Sequence, residues 1–143
     1  MWCNKILVAY DGSSPSRAAI DLALEVAKPS ERIELLLVHV MRLYSAGAEA
    51  VGINGVIAED AERVQSELQG IADVSRNPAS VKLLKGTSPA DLIVRCAVEE
   101  GCDLIIMGSR GKGGVKGYLG SVSYAVTKDS PVSVLVAKEA GAR

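Results

Sequence analysis

Apolar runs and helix-periodic segments alternate along this chain. Ile6-Leu7-Val8-Ala9-Tyr10 is continuous and apolar and stops at Asp11-Gly12, as a strand covered on both faces of a parallel sheet does. Ser13-Ser14-Pro15 then supplies a serine cap and a proline in the first helical turn. Ala18, Ala19, Leu22, Ala23 and Val26 form one helical stripe, and Pro29 ends it. Ile33 to Val40 reads as a second strand. Met41 to Gly55 contains three glycines and little periodicity, which predicts a long connection. Ile57, Ala61, Val64, Leu68 and Ile71 recur at alternating spacings of four and three and predict the clearest helix. Val81 to Leu84 is a short third strand. Gly86-Thr87-Ser88-Pro89 repeats the turn, serine cap and proline start, and Leu92, Ile93, Cys96 and Ala97 line a third helix that Gly101 ends. Leu104 to Met107 is a fourth strand. A helix supported by Val122, Ala125 and Val126 begins at Ser121, Ser130-Pro131 breaks it, and Val132 to Ala137 supplies a fifth strand.

The β-α-β-α-β-α-β-α-β pattern predicts an α/β fold: an open, parallel, five-stranded sheet with helices on both faces and right-handed crossovers. The 143 residues suit a single domain over 1–143. Ligands of such sheets bind beyond the carboxyl ends of the strands, where strand order reverses. Asp11-Gly12, Val40-Met41 and Gly108-Ser109 all follow strand ends, and they converge if the first and fourth strands are neighbours.

Composition narrows the function classes. An apolar fraction of 48% and a charged fraction of 23% are ordinary for a globular chain. A net charge of −1 leaves no global field for nucleic acid or an acidic membrane, so any basic site is local. Cys3, Cys96 and Cys102 are odd in number and lack C-x-x-C spacing, as expected of reduced thiols, with Cys96 on an apolar helix face. The single His39 is far in sequence from every cysteine, which argues against structural zinc. It reads as a half-buried strand residue. The start shows no signal-peptide pattern, and no apolar run approaches the about 20 residues of a membrane helix. A cytoplasmic protein is the expectation.

The candidate chemistry lies after the fourth strand. From Gly108 to Gly120 there are six glycines and three basic residues, Arg110, Lys112 and Lys116, with no acid. Glycines let backbone N–H groups crowd an anion without Cβ interference. A helix N-terminus adds free donors and a partial positive charge. Together they predict a pocket for a phosphate chain. It is neither of two common nucleotide loops. No glycine has the partners of G-x-x-x-x-G-K-[ST], and the first strand is followed by Asp11-Gly12-Ser13-Ser14 rather than G-x-G-x-x-G.

The arrangement resembles the universal stress protein family, in its ATP-binding branch. That branch carries G-x2-G-x9-G-[ST] after the fourth strand. Gly108-Ser109-Arg110-Gly111 corresponds to its first half and Gly120-Ser121 to its second, followed by Val122-Ser123 and Pro131 to Val136. Ile6 to Ser13, Val38-His39-Val40 and Gly86 to Ala90 also resemble the family, and the match is weakest from Met41 to Asn77. One departure stands out: eight residues, Lys112 to Leu119, separate Gly111 from Gly120 where the pattern has nine.

The resemblance implies a Rossmann-like fold of the adenine nucleotide alpha hydrolase-like type, with strand order 3-2-1-4-5. It implies that Ala9, Tyr10 and Asp11 edge the nucleotide, with Asp11 at the ribose or at Mg²⁺ bridged to phosphate. Val40 would meet the adenine, and Met107 and Gly108 would lie beside the ribose. Gly111, Gly120, Ser121 and Val122 would hold phosphates, with Ser123 and Arg110 as further contacts. It also implies ATP or another adenine nucleotide as ligand, a regulatory stress-response role with at most slow hydrolysis, and a homodimer paired through the edge strand Pro131 to Ala137. Two other readings stay open. One is a non-nucleotide-binding interaction protein of the same fold. The other is a nucleic-acid module, disfavoured by the net charge and by an aromatic content of 3%.

Overall fold

The computed structural model describes residues 2–44, 48–111 and 118–139, and within them the alternation of strand and helix is complete. The elements are β1 (Lys5–Ala9), α1 (Ser14–Ala27), β2 (Glu34–Arg42), α2 (Ala48–Val74), β3 (Ala79–Gly86), α3 (Pro89–Glu99), β4 (Leu104–Gly108), α4 (Ser121–Asp129) and β5 (Ser133–Ala137). All strand pairs are parallel, in the order β3-β2-β1-β4-β5. Ile6 pairs with Leu35 on one side and Leu104 on the other. Strand order therefore reverses between β1 and β4, which opens a crevice at their carboxyl ends.

The strands' two-residue period sorts the continuous apolar runs onto two faces. Ile6, Val8 and Tyr10 join Leu35, Leu37, Leu104 and Ile106 under α1 and α2, with Ala19, Ile20, Ala23, Val64 and Leu68. Leu7, Leu36, Val38, Ile105 and Met107 pack under α3 and α4, with Ile93, Cys96, Ala97 and Val126. Each fully buried aliphatic side chain contributes about 1.5–3 kcal/mol relative to exposure. Cys3, Cys96 and Cys102 are buried free thiols. Burial pushes the Cys102 thiol up to about 11.

Several local expectations are corrected. Met41 to Gly55 is not one long connection: β2 continues to Arg42 and α2 already runs from Ala48. Asn54 of α2 holds the chain just after β2: its Oδ1 accepts from the Tyr44 N–H (2.9 Å) and its Nδ2 donates to the Tyr44 carbonyl (2.8 Å). β3 is longer than Val81 to Leu84, because Ala79 to Gly86 pairs along β2 through Arg42. Ser13 caps α1 as expected, accepting from the Ser16 N–H. Ser88 makes no side-chain cap bond; its hydroxyl donates to Asp91 instead (2.9 Å). His39 is buried rather than half-buried. No described helix is long and apolar enough to cross a membrane.

Candidate functional site

The two segments that meet at the crevice are built by different local chemistry. After β1, Asp11 Oδ1 accepts from the Ser13 N–H (2.9 Å) and the Ser16 hydroxyl (2.9 Å). That turn is completed by Gly12 at φ 85°, a left-handed conformation that glycine adopts without steric cost. After β4, the backbone passes against the start of α1. A Cβ on Gly108 would stand 2.6 Å from the Pro15 carbonyl carbon and 2.7 Å from its oxygen. The Ser109 N–H donates to Ala137 of β5 (2.9 Å), and the Gly120 N–H donates to the Ser109 carbonyl (2.7 Å). These bonds bring the two ends of the glycine-rich segment together. Lys112 and Lys116 lie outside the described residues.

α4 begins at Ser121 as expected, with Gly120 as its N-cap, and no side chain caps this end. The N–H groups of Ser121, Val122 and Ser123 open the helix and have no intrahelical acceptor. The first turn has no acidic residue, and Lys128 lies in the last. The helix dipole therefore presents its positive end to the crevice without a built-in counter-charge.

A cavity of about 490 Å³ lies at this point. Its walls include every candidate residue: Ala9, Tyr10, Asp11, Val40, Met107, Gly108, Arg110, Gly111, Gly120, Ser121, Val122 and Ser123. Their contributions differ. Tyr10 belongs to the opposite face of the sheet, where its hydroxyl donates to Glu67 of α2 (2.8 Å) and accepts from Arg17 (3.2 Å). It therefore edges the cavity through its backbone. Burial, followed by the bond to Glu67, raises the Tyr10 phenol above its ordinary value. Its carbonyl is held by His39 Nδ1 at 2.9 Å, so that imidazole also sits outside the cavity wall. Ser123 is buried and its hydroxyl donates to the Gly108 carbonyl (2.7 Å). The hydroxyl thus ties α4 to β4 and is not a free donor. Arg110 pairs with Glu139 at 2.8 Å.

Ser16, Val38, Arg42, Pro89 and Ile93 also line the cavity and were missed by the sequence reading. A signal for two of them was present: Val38 and Arg42 stand two residues either side of Val40, and a strand's period puts all three on one face. Ser16, Pro89 and Ile93 sit on helices whose docking no local pattern reveals.

The donor set suits a phosphate chain. A Cβ on Gly111 would stand 2.7 Å from Asp11 Oδ2, and one on Gly120 would stand 3.0 Å from the Arg110 Cα. A side chain at either place would press on the neighbouring chain and change the shape of the cavity wall. The other end of the cavity is apolar, with Val38, Val40, Pro89, Ile93 and Met107. A slot that is apolar at one end and rich in amides at the other matches a base joined to phosphates. Among the described residues no three His, Cys, Asp or Glu side chains gather to hold a metal ion.

The sequence model of the universal stress protein family matches residues 3–138. The chain belongs to the universal stress protein family. A universal stress protein of Bacillus subtilis is 34% identical, with 94% of this chain and 99% of that protein covered. One of Thermus aquaticus is 35% identical over 93% and 97% respectively. Among solved structures, a family protein of Burkholderia pseudomallei matches with a TM-score of 0.76 at 26% identity, covering 94% of this chain and 96% of that one. Two more distant universal stress protein structures share the fold. One, from Arabidopsis thaliana, has AMP bound (TM-score 0.72, 20% identity, 96% and 93% covered). The other is in complex with cAMP (TM-score 0.62, 24% identity, 96% and 98% covered).

Proposed function

We infer that this universal stress protein belongs to the ATP-binding branch. It binds an adenine nucleotide, ATP with Mg²⁺ or AMP, in the crevice between β1 and β4, and serves as a regulatory stress-response protein. The observation that carries this reading is the cavity itself. Glycine-backed amides and an uncapped helix N-terminus line one end, and aliphatic side chains line the other. Family structures holding AMP and cAMP support it by analogy. In this reading Gly111, Gly120, Ser121 and Val122 hold phosphates through backbone N–H groups. Met107 and Gly108 lie beside the ribose, and Val38 and Val40 meet the base. Asp11 faces the ribose or an Mg²⁺ whose remaining ligands come from phosphate and water. No general base is poised for water in the wall described here, so turnover is slow or absent.

The purified protein supplies the direct test. An absorbance ratio followed by chromatography of the denatured extract is expected to reveal co-purified nucleotide, and calorimetry is expected to give heat with ATP or AMP. No heat with ATP, AMP, cyclic AMP or GTP at millimolar concentration refutes the reading. A second reading, a non-binding interaction protein of the same fold, is favoured by one fact: the spacing from Gly111 to Gly120 is one residue short of the branch pattern. The same calorimetry separates the two.

Homodimerisation through β5 belongs to the same proposal. β5 is an edge strand. Ala137 turns its carbonyl toward the β4 side, where it accepts from Ser109. By alternation, the N–H and C=O groups of Val134 and Val136 face the open edge. Val134→Pro then removes an outward donor while sparing the ladder to β4. Light scattering is expected to show a dimer for the native chain and a monomer for this variant; a native monomer refutes the pairing.

A further inference from the structure

Among the described residues two cationic side chains line the cavity, and they stand differently. Arg110, beside the glycine segment, is paired with Glu139. Arg42, the last residue of β2, has no ion-pair partner among the described residues. Its guanidinium carbon lies 5.6 Å from the centre of the Tyr44 ring. Tyr44 is itself pinned at its backbone by both ends of the Asn54 amide. On β3, the register partner of Arg42 is Gly86, and Leu92 of α3 takes the place of its missing side chain, with Cδ1 2.9 Å from where a Cβ would stand.

The position along the sheet decides which part of a ligand Arg42 faces. It follows Val38 and Val40 on the same face of β2, at the apolar end of the cavity. β2 is two strand positions from β4, which leads into the glycine segment. That separation is about 10 Å. An arginine here, exposed and beside an aromatic ring, is placed to offer a guanidinium plane to a ligand in the cavity. Guanidinium planes stack on aromatic ligands by cation–π and dispersion contact, which a lysine ammonium reproduces poorly.

We propose that Arg42, backed by Tyr44, is a base-holding residue that stacks its guanidinium on the exposed face of the nucleotide base and closes the apolar end of the cavity. This assignment rests on the nucleotide reading above and adds a determinant that the phosphate-side residues do not supply. Because the base is neutral, the contact carries no ionic-strength dependence, unlike a contact to phosphate.

The test is calorimetry of ATP with the native chain, Arg42→Ala and Arg42→Lys, from about 0.15 M to 0.5 M salt, where the Debye length falls below the separation from the phosphate end. The expected result for Arg42→Ala is affinity about tenfold lower at every salt concentration, with plots of log Kd against log salt parallel to the native one. Arg42→Lys is expected to lose most of that factor despite keeping the charge. Plots that converge at high salt, or full recovery by Arg42→Lys, identify a charge contact to phosphate and overturn the stack. ATP binding that Arg42→Ala leaves unchanged removes this proposal alone. A native chain that binds no nucleotide removes the reading of the site and the proposal with it. A melting temperature for both variants close to the native value confirms that the loss reports on binding.

Discussion

Asn77 holds the turn that sets β2 in register, and removing it gives a sharp test of how the fold is closed at the end opposite the cavity. The side chain is buried, and its Nδ2 donates to three carbonyls, those of Ala27 (3.2 Å), Ser30 (2.8 Å) and Ile33 (3.0 Å). Two N–H bonds serve three acceptors, so one bond is shared. Asn77→Ala removes two net hydrogen bonds worth about 1 kcal/mol each and leaves at least one buried carbonyl without a donor, which adds about 1–2 kcal/mol. The expected loss is about 3–4 kcal/mol, a large share of a domain's total stability. At about 2–4 °C per kcal/mol for a chain of this size, the melting temperature falls by about 6–16 °C. Asn77→Asp is worse at pH 7, because a carboxylate then faces three carbonyl oxygens. Its folded pKa is raised by burial and by those dipoles. Its penalty is therefore smallest below the ordinary carboxylate range and grows as pH rises through the folded value. Urea unfolding of both variants between pH 4 and 7 checks this. A loss under about 0.5 kcal/mol for Asn77→Ala, or an Asn77→Asp variant as stable as Asn77→Ala at pH 7, refutes the reasoning.

Gly108→Ala forces a Cβ to within 2.6 Å of the Pro15 backbone, so it is expected to cost about 3 kcal/mol through separation of β4 from α1, measured by denaturant unfolding. Gly55→Ala lies in α2, where an added Cβ meets nothing within 4 Å. It is expected to stabilise the protein by about 0.5–1 kcal/mol, and a loss of stability argues that the helix does not extend to that residue. The Cys102 thiol is raised from 9.0 to about 11 by burial first, so its contribution to stability is complete below its ordinary value and is lost as pH rises through about 11. Mass spectrometry after alkylation at pH 8 is expected to show Cys102 protected in the native protein and labelled in urea.

The sheet was legible because each strand is a short run of aliphatic residues bounded by turn chemistry, and parallel strands buried on both faces leave that signature. Ile6 to Ala9 and Leu104 to Met107 needed no tertiary information. The start of α2 was hidden because Gly52 and Gly55 are poor helix formers, and no apolar stripe reaches that far. Ala48 to Val56 is helical as the continuation of a helix whose buried residues, Ala61, Val64 and Leu68, lie further on. The residues that the resemblance singles out all line one cavity, because glycine spacing records where backbone segments approach closely. The resemblance was silent on side-chain direction. The Tyr10 hydroxyl turns to Glu67 across the sheet, and the Ser123 hydroxyl turns to Gly108. Neither direction can be read from residue type.

The glycines of the site meet two different demands. Gly108 has no Cβ because Pro15 of α1 occupies that place, a requirement of the scaffold that holds with or without ligand. At Gly111 and Gly120 an added Cβ meets Asp11 Oδ2 at 2.7 Å and the Arg110 Cα at 3.0 Å, within the cavity wall itself. Substitution at Gly108 therefore acts first on stability, whereas substitution at Gly111 presses on the Asp11 carboxylate and so on the wall of the crevice. The same division runs through the side chains. Ser16 and Ser123 line the cavity, yet their hydroxyls brace Asp11 and Gly108. Arg42 lines it with no ion pair of its own. The bracing therefore lies beneath the glycine-rich end of the cavity, and Arg42, stacked beside Tyr44, stands among its aliphatic residues.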